Sequence, residues 1–363
     1  DRGLPHRPRV SGGAGMSFER WKDTAIIIPA RNEAERIGAC LGALAPQCND
    51  RIRVILVVNN TDDDTAKIAT LAAARHGIDL SVLDLTFPPG MGVGAARRKG
   101  CAVAMEQMPH LRQILTTDAD CRVNPDWVAR SIQHLHRYDA LCGKVTLNPE
   151  EAACLAGQDP SLEAHETAYR RLVLECYARH APNCADLQDS HGEAPGASLG
   201  FTRAAYEAVG GFAPIPCGED RAIIRAARAA GLRVHHADDI WVEASCRLVG
   251  RAAGGMADTL RIRLAGTEYL ADDCLPNAAA LLDQVQRGTL GCWPAQVPQP
   301  QRVPVRELPA HIAKLRAFLK LPEGEEAPVS PGQAPANCWR GENFPAQVAE
   351  TSEPRTAGAV ELS

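Results

Sequence analysis

Two carboxylates that lie two residues apart, Asp118 and Asp120, are the part of this sequence best suited to chemistry. They directly follow the run 114–117, whose apolar and threonine residues are typical of a strand near its end. In an extended stretch, residues two apart point the same way, so we expect both carboxylates to face one divalent cation. Mg²⁺ and Mn²⁺ prefer such oxygen ligands, and a cation held by only two carboxylates keeps positions open for phosphate oxygens. The sequence therefore predicts an Mg²⁺ or Mn²⁺ site here, although an isolated Asp-x-Asp is more often a solvated turn or a helix cap.

The segments around this pair alternate between short apolar strands and helical stretches. We predict strands at 24–28, 52–58, 80–85, 114–117 and 140–147, with helical segments that start near Glu33, Asp64 and Ala95. Such alternation indicates an α/β fold with a mostly parallel central sheet flanked by helices. The pair then lies in a strand-to-helix loop, where open α/β sheets bind ligands. The next helix is predicted from Asn124 as cap, with Pro125 at its first position.

Later segments depart from this alternation. A long helical insertion is predicted at 151–180, and it would either shape an acceptor cleft or only pack against the rest of the protein. A short helix is predicted at 311–319, after a proline-rich stretch. We divide the chain into an N-terminal arm, a catalytic domain with two halves, a C-terminal helical extension and a disordered tail. Their predicted bounds are 1–22, 23–265 with halves 23–147 and 148–265, 266–320 and 321–363.

Two loops that follow the first two strands carry polar residues. The first contains Pro29, Arg31, Asn32 and Glu33, and it leads into a helix whose free backbone N–H groups can meet a base, ribose or phosphate. The second loop, 59–65, ends the next strand in the same way. The carboxyl ends of parallel strands meet at one edge of a sheet, so we expect these loops to lie beside the carboxylate pair.

Together with Asp118-Ala119-Asp120, these loops resemble family 2 of the inverting glycosyltransferases over residues 23–265. The resemblance implies the GT-A type nucleotide-diphospho-sugar transferase fold and a nucleotide-diphosphate sugar as donor. The second loop departs from the family pattern Gly-Ser-x-Asp-x-Thr at its glycine and serine. The residues that the resemblance assigns to nucleotide-sugar binding are Pro29, Arg31, Asn32, Glu33, Asn60, Asp63, Arg97, Asp118, Ala119 and Asp120.

A glycine-rich segment, 90–100, follows the third strand. It is not a dinucleotide fingerprint, because the third glycine that close helix packing needs is missing from the expected position. It is similar instead to the family's Gly-x-x-x-Ala-Arg-x-x-Gly turn. That likeness implies a helix N-terminus and an arginine, Arg97, that face the nucleotide. A surface basic helix is the alternative.

The acceptor side is predicted from Gly196, Ala197 and Ser198 and from the acidic pair Glu219 and Asp220. Acidic residues at a helix start are most often caps. The resemblance implies that Asp220 is the catalytic base and that Glu219 orients it or contacts the acceptor.

Two arginines and one histidine are further candidates. Arg247 and Arg251 stand four apart, so a helix would place them on one face toward an anion in the acceptor site, and solvated arginines are the alternative. His236 is a candidate third metal contact, with His235 and His191 as competitors and a structural role as the alternative.

Composition excludes several classes of protein. With 39 Lys plus Arg against 44 Asp plus Glu, the charge of -5 gives no general reason to bind nucleic acid. The 13 cysteines form no Cys-x-x-Cys pair, and no apolar run is long enough to span a membrane. We therefore expect a cytoplasmic protein, with peripheral membrane contact left open.

The sequence thus predicts a metal-dependent inverting glycosyltransferase that moves a single sugar onto an unidentified hydroxyl acceptor. The signature Gln-x-x-Arg-Trp of processive synthases is missing. Two alternatives are a sugar-1-phosphate nucleotidyltransferase and a nucleotide-binding GT-A domain without catalysis. The former needs a Gly-Gly-x-x-x-Arg loop after the first strand, where this chain has Pro29 to Glu33.

Overall fold

A computed structural model describes the chain at residues 22–155, 157, 159–251, 255–266 and 269–321. Apart from Lys22 and Leu321, the predicted N-terminal arm and disordered tail lie outside these residues. Eight strands form one sheet. They are β1 (Thr24–Ala30), β2 (Ile52–Asn59), β3 (Leu80–Leu85), β4 (Gln113–Thr116), β5 (Cys121–Val123), β6 (Ala140–Leu147), β7 (Leu199–Thr202) and β8 (Val234–Ala244).

The sheet has the strand order β3-β2-β1-β4-β7-β6-β8-β5. The pairs among β3, β2, β1 and β4 are parallel, and so is the pair β6 with β8. Strand β7 runs antiparallel to both of its neighbours, and β5 runs antiparallel to β8. Most neighbouring pairs are therefore parallel, which confirms the predicted α/β class.

Ten α-helices accompany the sheet within the described residues. They are α1 (Ile37–Leu44), α2 (Thr65–His76), α3 (Val93–Gln107), α4 (Trp127–Leu135), α5 (Pro160–His180), α6 (Arg203–Ala208), α7 (Glu219–Ala229), α8 (Met256–Leu264), α9 (Ala278–Arg287) and α10 (Leu308–Leu319). None of the helices described is both long and apolar enough to cross a membrane.

Both faces of β1 are buried, because helices cover the sheet on each side. Ile26 and Ile28 belong to the core on one face, with Leu41 of α1 and Trp127 of α4. Ile27 points to the other face, where α3 and α7 pack. A strand covered on both faces reads as a continuous apolar run, which is why the sequence located β1 so closely.

Helix α3 lies very close to the sheet at Gly100. A Cβ atom there would stand 2.6 Å from Cγ2 of Ile27 and 3.0 Å from Cγ2 of Val57. A close-packing glycine is therefore present at position 100, three residues beyond position 97, where a dinucleotide fingerprint that starts at Gly92 would place it.

The predicted helix boundaries need two corrections. The insertion begins with a 3-10 turn, Ala152–Leu155, and α5 starts only at Pro160, where the Asp159 side chain caps it by accepting from Ser161 N at 2.9 Å. The cap of α4 is Asp126 rather than Asn124. Asn124 instead joins the sheet, since its Oδ1 accepts from Trp241 N at 3.2 Å.

A third core joins α5 to the C-terminal helices α9 and α10. Leu172 and Leu174 both lie in this core although they point to different sides of α5. The helix is thus surrounded, with Trp293 edge-on to Tyr177 at 5.2 Å. The C-terminal extension covers the insertion.

Candidate functional site

Asp118 and Asp120 lie in a tight turn between β4 and β5. Strand β4 ends at Thr116, and Cys121 N donates to Asp118 O at 3.1 Å, so the segment is not the extended stretch that the sequence analysis assumed. The turn nevertheless brings the carboxylate oxygens together. One ligand atom each from Asp118, Asp120 and Cys121 lies within 4.8 Å of the others.

Arg97 of α3 is buried beneath this turn and pairs with two acids. Its guanidinium contacts Asp118 and, on its other side, Glu219 at the start of α7. The Arg97 side chain is only 3% exposed and lies below the Phe212 ring, 6.0 Å from its centroid. The alternative of a surface basic helix is therefore wrong for Arg97, which joins the carboxylate pair to the acidic pair 100 residues later.

Burial sets the charge balance around Arg97. It raises the pKa of Glu219, against the opposing effect of Arg97, and the neighbouring Asp220 raises it further. Burial also raises the pKa of Asp118, while Arg97 lowers it. A buried carboxylate is costly to ionise without a positive neighbour, so Arg97 partly offsets the burial and favours the ionised form of both acids.

Gly196 closes this cluster from the acceptor side. A Cβ atom at Gly196 would stand 2.5 to 2.6 Å from the guanidinium atoms of Arg97, so only glycine leaves room for it. Thr116 Oγ1 donates to Gly196 O at 2.7 Å, and Gly196 N donates to Asp220 at 2.9 Å. The end of β4, the 3-10 turn Gly196–Ser198 and the start of α7 are thus connected through one backbone unit.

Asp220 lies in the first turn of α7 and is not its cap. The cap position is Gly218, with a positive φ of 79°. The Asp220 carboxylate accepts from Gly196 N at 2.9 Å and from Arg221 N at 2.7 Å. These two donors fix its orientation and leave lone pairs on both oxygens.

Arg247 lies on the donor side, with the first loop. The segment after β8 is irregular, so the helix that would align Arg247 with Arg251 is not formed. The guanidinium of Arg247 holds both oxygens of Glu33 at 2.7 Å and Asp120 at 3.0 Å. Arg251 Nε donates to Asn32 O at 3.1 Å.

Hydrogen bonds join the two donor loops to one another. Asp63 accepts from Ala34 N at 3.1 Å and from Thr65 N at 2.9 Å, and these bonds lower its pKa although its burial raises it. Asn32 accepts from Asp62 N at 3.0 Å. Predicted ligand groups of these loops therefore also hold the loops in place, while Asp63 stays exposed.

Three other predicted donor residues have distinct surroundings. Pro29 lies inside β1, beyond Ile27, which is the last residue of β1 that pairs with β4. Proline has no backbone N–H, and at this position that does not cost the sheet a hydrogen bond to β4. Arg31 is exposed. Asn60 holds the backbone of Phe87 through both its amide atoms, at 2.9 and 3.1 Å.

The N-terminus of α3 is covered by protein. A Cβ atom at Gly92 would stand 2.5 Å from Pro216 O, and one at Gly94 would stand 2.2 Å from Ala213 O. The loop before α7 therefore packs onto the start of α3. Exposure of this helix start to phosphate, as the glycine-rich motif suggested, is not seen in this arrangement.

Several predicted site residues contribute backbone or support rather than exposed side chains. Ala119 is 2% exposed, Ala197 6% and Ser198 2%. Ser198 Oγ accepts from Trp127 Nε1 at 3.0 Å. Ser198 thus anchors α4 beneath the turn, and its role toward an acceptor stays a prediction.

His236 lies in a separate buried cluster. Its Nδ1 is 3.3 Å from Asp186, whose carboxylate also holds Arg228. Burial lowers the pKa of His236, so the neutral ring is favoured. His191 stands edge-on to His236 at 5.1 Å. The group of possible metal ligands found among the described residues contains none of these histidines.

Sequence reasoning missed Arg221, which follows Asp220. Arg221 contacts Asp272 at 3.1 Å and also Asp273, both in the C-terminal extension. Arg170 of α5 contacts the same Asp272 at 2.9 Å. No local pattern marks these residues, since the partners lie about fifty to a hundred positions apart in the sequence.

The carboxylate turn fits a hard divalent cation. Asp118 and Asp120 supply two oxygen ligands within reach of one ion, and the Asp118 side chain is 35% exposed. Burial keeps the pKa of Cys121 well above its usual value, so its thiol remains protonated and is a poor ligand for such an ion. Two carboxylates alone leave positions for oxygens of a bound substrate.

A family model matches the N-terminal part of the chain. Residues 25–154 match the family model described as Glycosyl transferase family 2. No curated protein matches the sequence.

Solved structures that are similar to this chain include three with a bound nucleotide or nucleotide sugar. S. aureus TarS 1-349 in complex with UDP has 17% identity and a TM-score of 0.40, over 62% of this chain and 61% of that one. A mannosyltransferase from Pyrobaculum calidifontis with GDP-Man and Mn²⁺ has 17% identity and a TM-score of 0.44, over 82% and 74%. Glucosyl-3-phosphoglycerate synthase from Mycobacterium tuberculosis with Mg²⁺ and UDP has 14% identity and a TM-score of 0.42, over 67% and 76%.

The chain thus spans about three fifths of the length of the S. aureus TarS fragment. The family match covers the four parallel strands and the carboxylate turn. Residues 25–154 thus match glycosyl transferase family 2, within an α/β fold of the GT-A type.

Proposed function

We propose that the protein is a metal-dependent inverting glycosyltransferase that moves one sugar from a nucleotide-diphosphate sugar to a hydroxyl acceptor. The observation that carries the proposal is the buried contact of Arg97 with both Asp118 and Glu219. Through it, the carboxylates suited to a diphosphate-bound cation and the acids suited to an acceptor hydroxyl adjoin one another.

Asp118 and Asp120 would hold Mg²⁺ or Mn²⁺. The ion would supply positive charge that stabilises the departing diphosphate. The donor nucleoside would lie against the loops that carry Asn32, Glu33 and Asp63, at the carboxyl ends of β1 and β2.

Asp220 would act as the base. Its carboxylate would take the proton of the acceptor hydroxyl while that oxygen bonds to the anomeric carbon, and the bond from this carbon to the diphosphate oxygen breaks. Attack from the face opposite the diphosphate inverts the anomeric configuration. The backbone donors Gly196 N and Arg221 N, at 2.9 and 2.7 Å, hold the carboxylate in one orientation for this step.

Glu219 would orient Asp220 rather than touch the acceptor. Its side chain is 2% exposed and is held by Arg97, so it is not open to a ligand in this arrangement. A buried pair of this kind fixes the first turn of α7 relative to the carboxylate turn.

Asp220→Asn tests the proposal. Asn lacks the carboxylate that accepts the proton, so we expect sugar transfer to fall by about 10² to 10⁴. The amide also places a donor against one of the two backbone N–H groups, which costs about 1 kcal/mol of folding free energy. UDP affinity with Mn²⁺ should persist, because the change lies on the acceptor side.

The measurements are transfer rate, UDP affinity by calorimetry and melting temperature, with Asp126→Asn as a matched control at the start of α4. Wild-type transfer in Asp220→Asn would remove Asp220 from catalysis. Loss of UDP binding would place it in the donor site instead. NMR of the product anomeric configuration tests inversion, and mass spectrometry of product length tests single-sugar transfer.

The donor can be identified with the intact protein. A panel of nucleotide sugars with and without Mn²⁺ is measured by thermal shift, because a ligand that binds only the native state raises the apparent stability. Slow UDP release from the stabilising sugar would distinguish an enzyme from a domain that only binds nucleotide.

A cytoplasmic location belongs to the same proposal. It is supported by the cysteines, because no disulfide forms among the eleven, of 13, whose side chains the structure describes. Cell fractionation with a tagged chain tests it.

A further inference from the structure

Two arginines contact the carboxylate turn, Arg97 at Asp118 and Arg247 at Asp120, but their surroundings differ. Arg97 is 3% exposed and is fixed between Asp118 and Glu219. Arg247 is 20% exposed and extends from an irregular segment after β8. Removing Arg97 from its partners would leave a buried charge without compensation, whereas Arg247 can move at lower cost.

The backbone beside Arg247 is nevertheless anchored. Glu151 accepts from Cys246 N at 2.9 Å and from Ser245 Oγ at 3.2 Å, and its other oxygen holds Arg36 at 2.5 Å. The start of the Arg247 side chain therefore has a fixed position. Only its guanidinium needs to shift when the surroundings of Asp120 change.

The guanidinium of Arg247 has a second partner that stays available. Both of its terminal nitrogens bond to Glu33 at 2.7 Å, while only one of them contacts Asp120, at 3.0 Å. Two-point contacts between arginine and a carboxylate are the stronger kind. Arg247 can thus release Asp120 and remain bound to Glu33.

We propose that Arg247 is an internal counter-ion which competes with the divalent cation for Asp120, and that Glu33 receives it when the cation binds. This inference rests on the proposed metal site. The positive charge that Arg247 places beside Asp120 opposes a second cation there, and the reserve partner Glu33 limits that opposition. In the absence of donor, the affinity for metal then depends on how often Arg247 pairs with Asp120 and how often with Glu33 alone.

The test measures Mn²⁺ binding directly, by the electron paramagnetic resonance signal of free Mn²⁺, on the full chain without nucleotide. Arg247→Gln removes the competing charge, so we expect Mn²⁺ to bind about 10-fold more tightly or better. Glu33→Gln removes the reserve partner, so Arg247 stays on Asp120. We therefore expect the affinity for Mn²⁺ to fall by about 3-fold or more. The two variants should therefore move the affinity in opposite directions.

Arg122→Gln is the matched control. Arg122 also lies near the turn, is 43% exposed and pairs with Glu150 at 3.5 Å rather than with the turn. Arg122→Gln removes the same charge as Arg247→Gln but not from a partner of Asp120. We therefore expect the affinity for Mn²⁺ to change by less than about 2-fold. Arg247→Lys keeps the charge, so it should not tighten Mn²⁺ binding as Arg247→Gln does. If Arg247→Gln fails to fold, the weaker Mn²⁺ binding expected of Glu33→Gln still tests the competition.

Two results would separate the inference from the proposed function. If wild type binds Mn²⁺ and Arg247→Gln binds it no more tightly, or Arg122→Gln tightens it equally, the competition is refuted while the metal site stands. If no variant binds Mn²⁺ with or without UDP, the metal site itself is refuted, and the competition with it.

Discussion

The donor side and the acceptor side of this site are constructed differently. On the donor side, contacts join neighbouring strand ends, as in Asp63 with Ala34 N at 3.1 Å and Asn32 with Asp62 N at 3.0 Å. On the acceptor side, the first turn of α7 is held by residues of the C-terminal extension. Arg221 meets Asp272 at 3.1 Å.

The same contrast holds for the insertion. Arg170 of α5 shares Asp272 with Arg221, and Trp293 Nε1 donates to Gly192 O at 2.7 Å, four residues before Gly196. The C-terminal extension is therefore part of what positions Asp220. The contacts between the donor loops lie in one half of the domain, with Arg247 and Arg251 added from the other half, whereas the described contacts at the start of α7 reach into the C-terminal extension.

Loss of the carboxylate turn should have the largest effect on activity. Asp118→Asn and Asp120→Asn each remove charge compensation of the diphosphate, which we expect to cost ~3 kcal/mol of transition-state stabilisation or more, about a 10²-fold loss of turnover. The two should differ in stability. Asp118→Asn weakens a partner of the buried Arg97, whereas Arg247 keeps Glu33 when Asp120 is changed.

Turnover with Mn²⁺ and melting temperature check this pair. Asp50→Asn, in the turn before β2 at the opposite edge of the sheet, is the control. Near-normal turnover in either site variant would make the metal assignment wrong, and equal melting temperatures would contradict the structural role of Asp118.

Asp272→Asn tests the dependence of the acceptor side on the extension. Asp272 compensates both Arg170 and Arg221, so its loss should cost about 2 kcal/mol of folding free energy. We expect the transfer rate to fall while UDP affinity stays unchanged, since the ion pairs of Asp272 go to α5 and α7. Asp283→Asn, an exposed acid that pairs with Arg287 in α9, is the control. Weakened UDP binding in Asp272→Asn would erase the contrast between the two sides.

The same residue gives a pH dependence. Arg170 and Arg221 hold the pKa of Asp272 well below its usual value, although its burial alone would raise it. A carboxyl whose pKa is lower in the folded state stabilises the protein above its unfolded pKa of ~3.9, and this stabilisation is lost as pH falls toward the folded value. Wild type should therefore lose more stability than Asp272→Asn below about pH 4. Denaturant unfolding at several pH values checks it, and parallel curves would contradict it.

The sequence predicted the donor side better than the acceptor side for a physical reason. Strands read as short apolar runs, so β3 and β6 were predicted with the bounds that the structure has, although β3 is a half-buried strand at the edge of the sheet. The carboxylates of Asp118 and Asp120 do converge, although through a turn rather than an extended stretch.

Contacts between distant segments were not predictable in this way. Arg97 meets Glu219 across 122 positions, and Arg247 meets Glu33 across 214. No periodicity encodes such pairs, because they follow from how layers pack and not from how one element alternates. The roles that the sequence assigned to Arg97 and Arg247 on the nucleotide and the acceptor stay predictions.

Gly196→Ala tests the junction between the two sides. The added Cβ would stand 2.5 Å from the buried guanidinium of Arg97, so we expect a loss of about 1 to 3 kcal/mol in stability, as for overpacked cores. Gly42→Ala in α1 is the control, because nothing lies within 4 Å of its Cβ position and alanine favours helix. Calorimetric melting of both variants checks it. Unchanged stability in Gly196→Ala would mean that Arg97 moves freely.

The smallest effect is expected at Asp63, where the two functions of the donor loops can be separated. Its side chain is exposed, so removing the bonds to Ala34 N and Thr65 N by Asp63→Ala should cost only about 1 kcal/mol of stability. If Asp63 also meets the nucleoside, UDP affinity should fall by about 10-fold, as for a lost bond to a charged acceptor. Asp62→Ala changes the neighbouring exposed acid, whose backbone N–H rather than side chain serves the loop contact. Calorimetric titration of UDP into both variants decides between them. A fall in affinity confined to Asp62→Ala would move nucleoside recognition by one residue. If Asp63→Ala loses stability without any change in UDP affinity, the role of Asp63 is only to hold the two loops together.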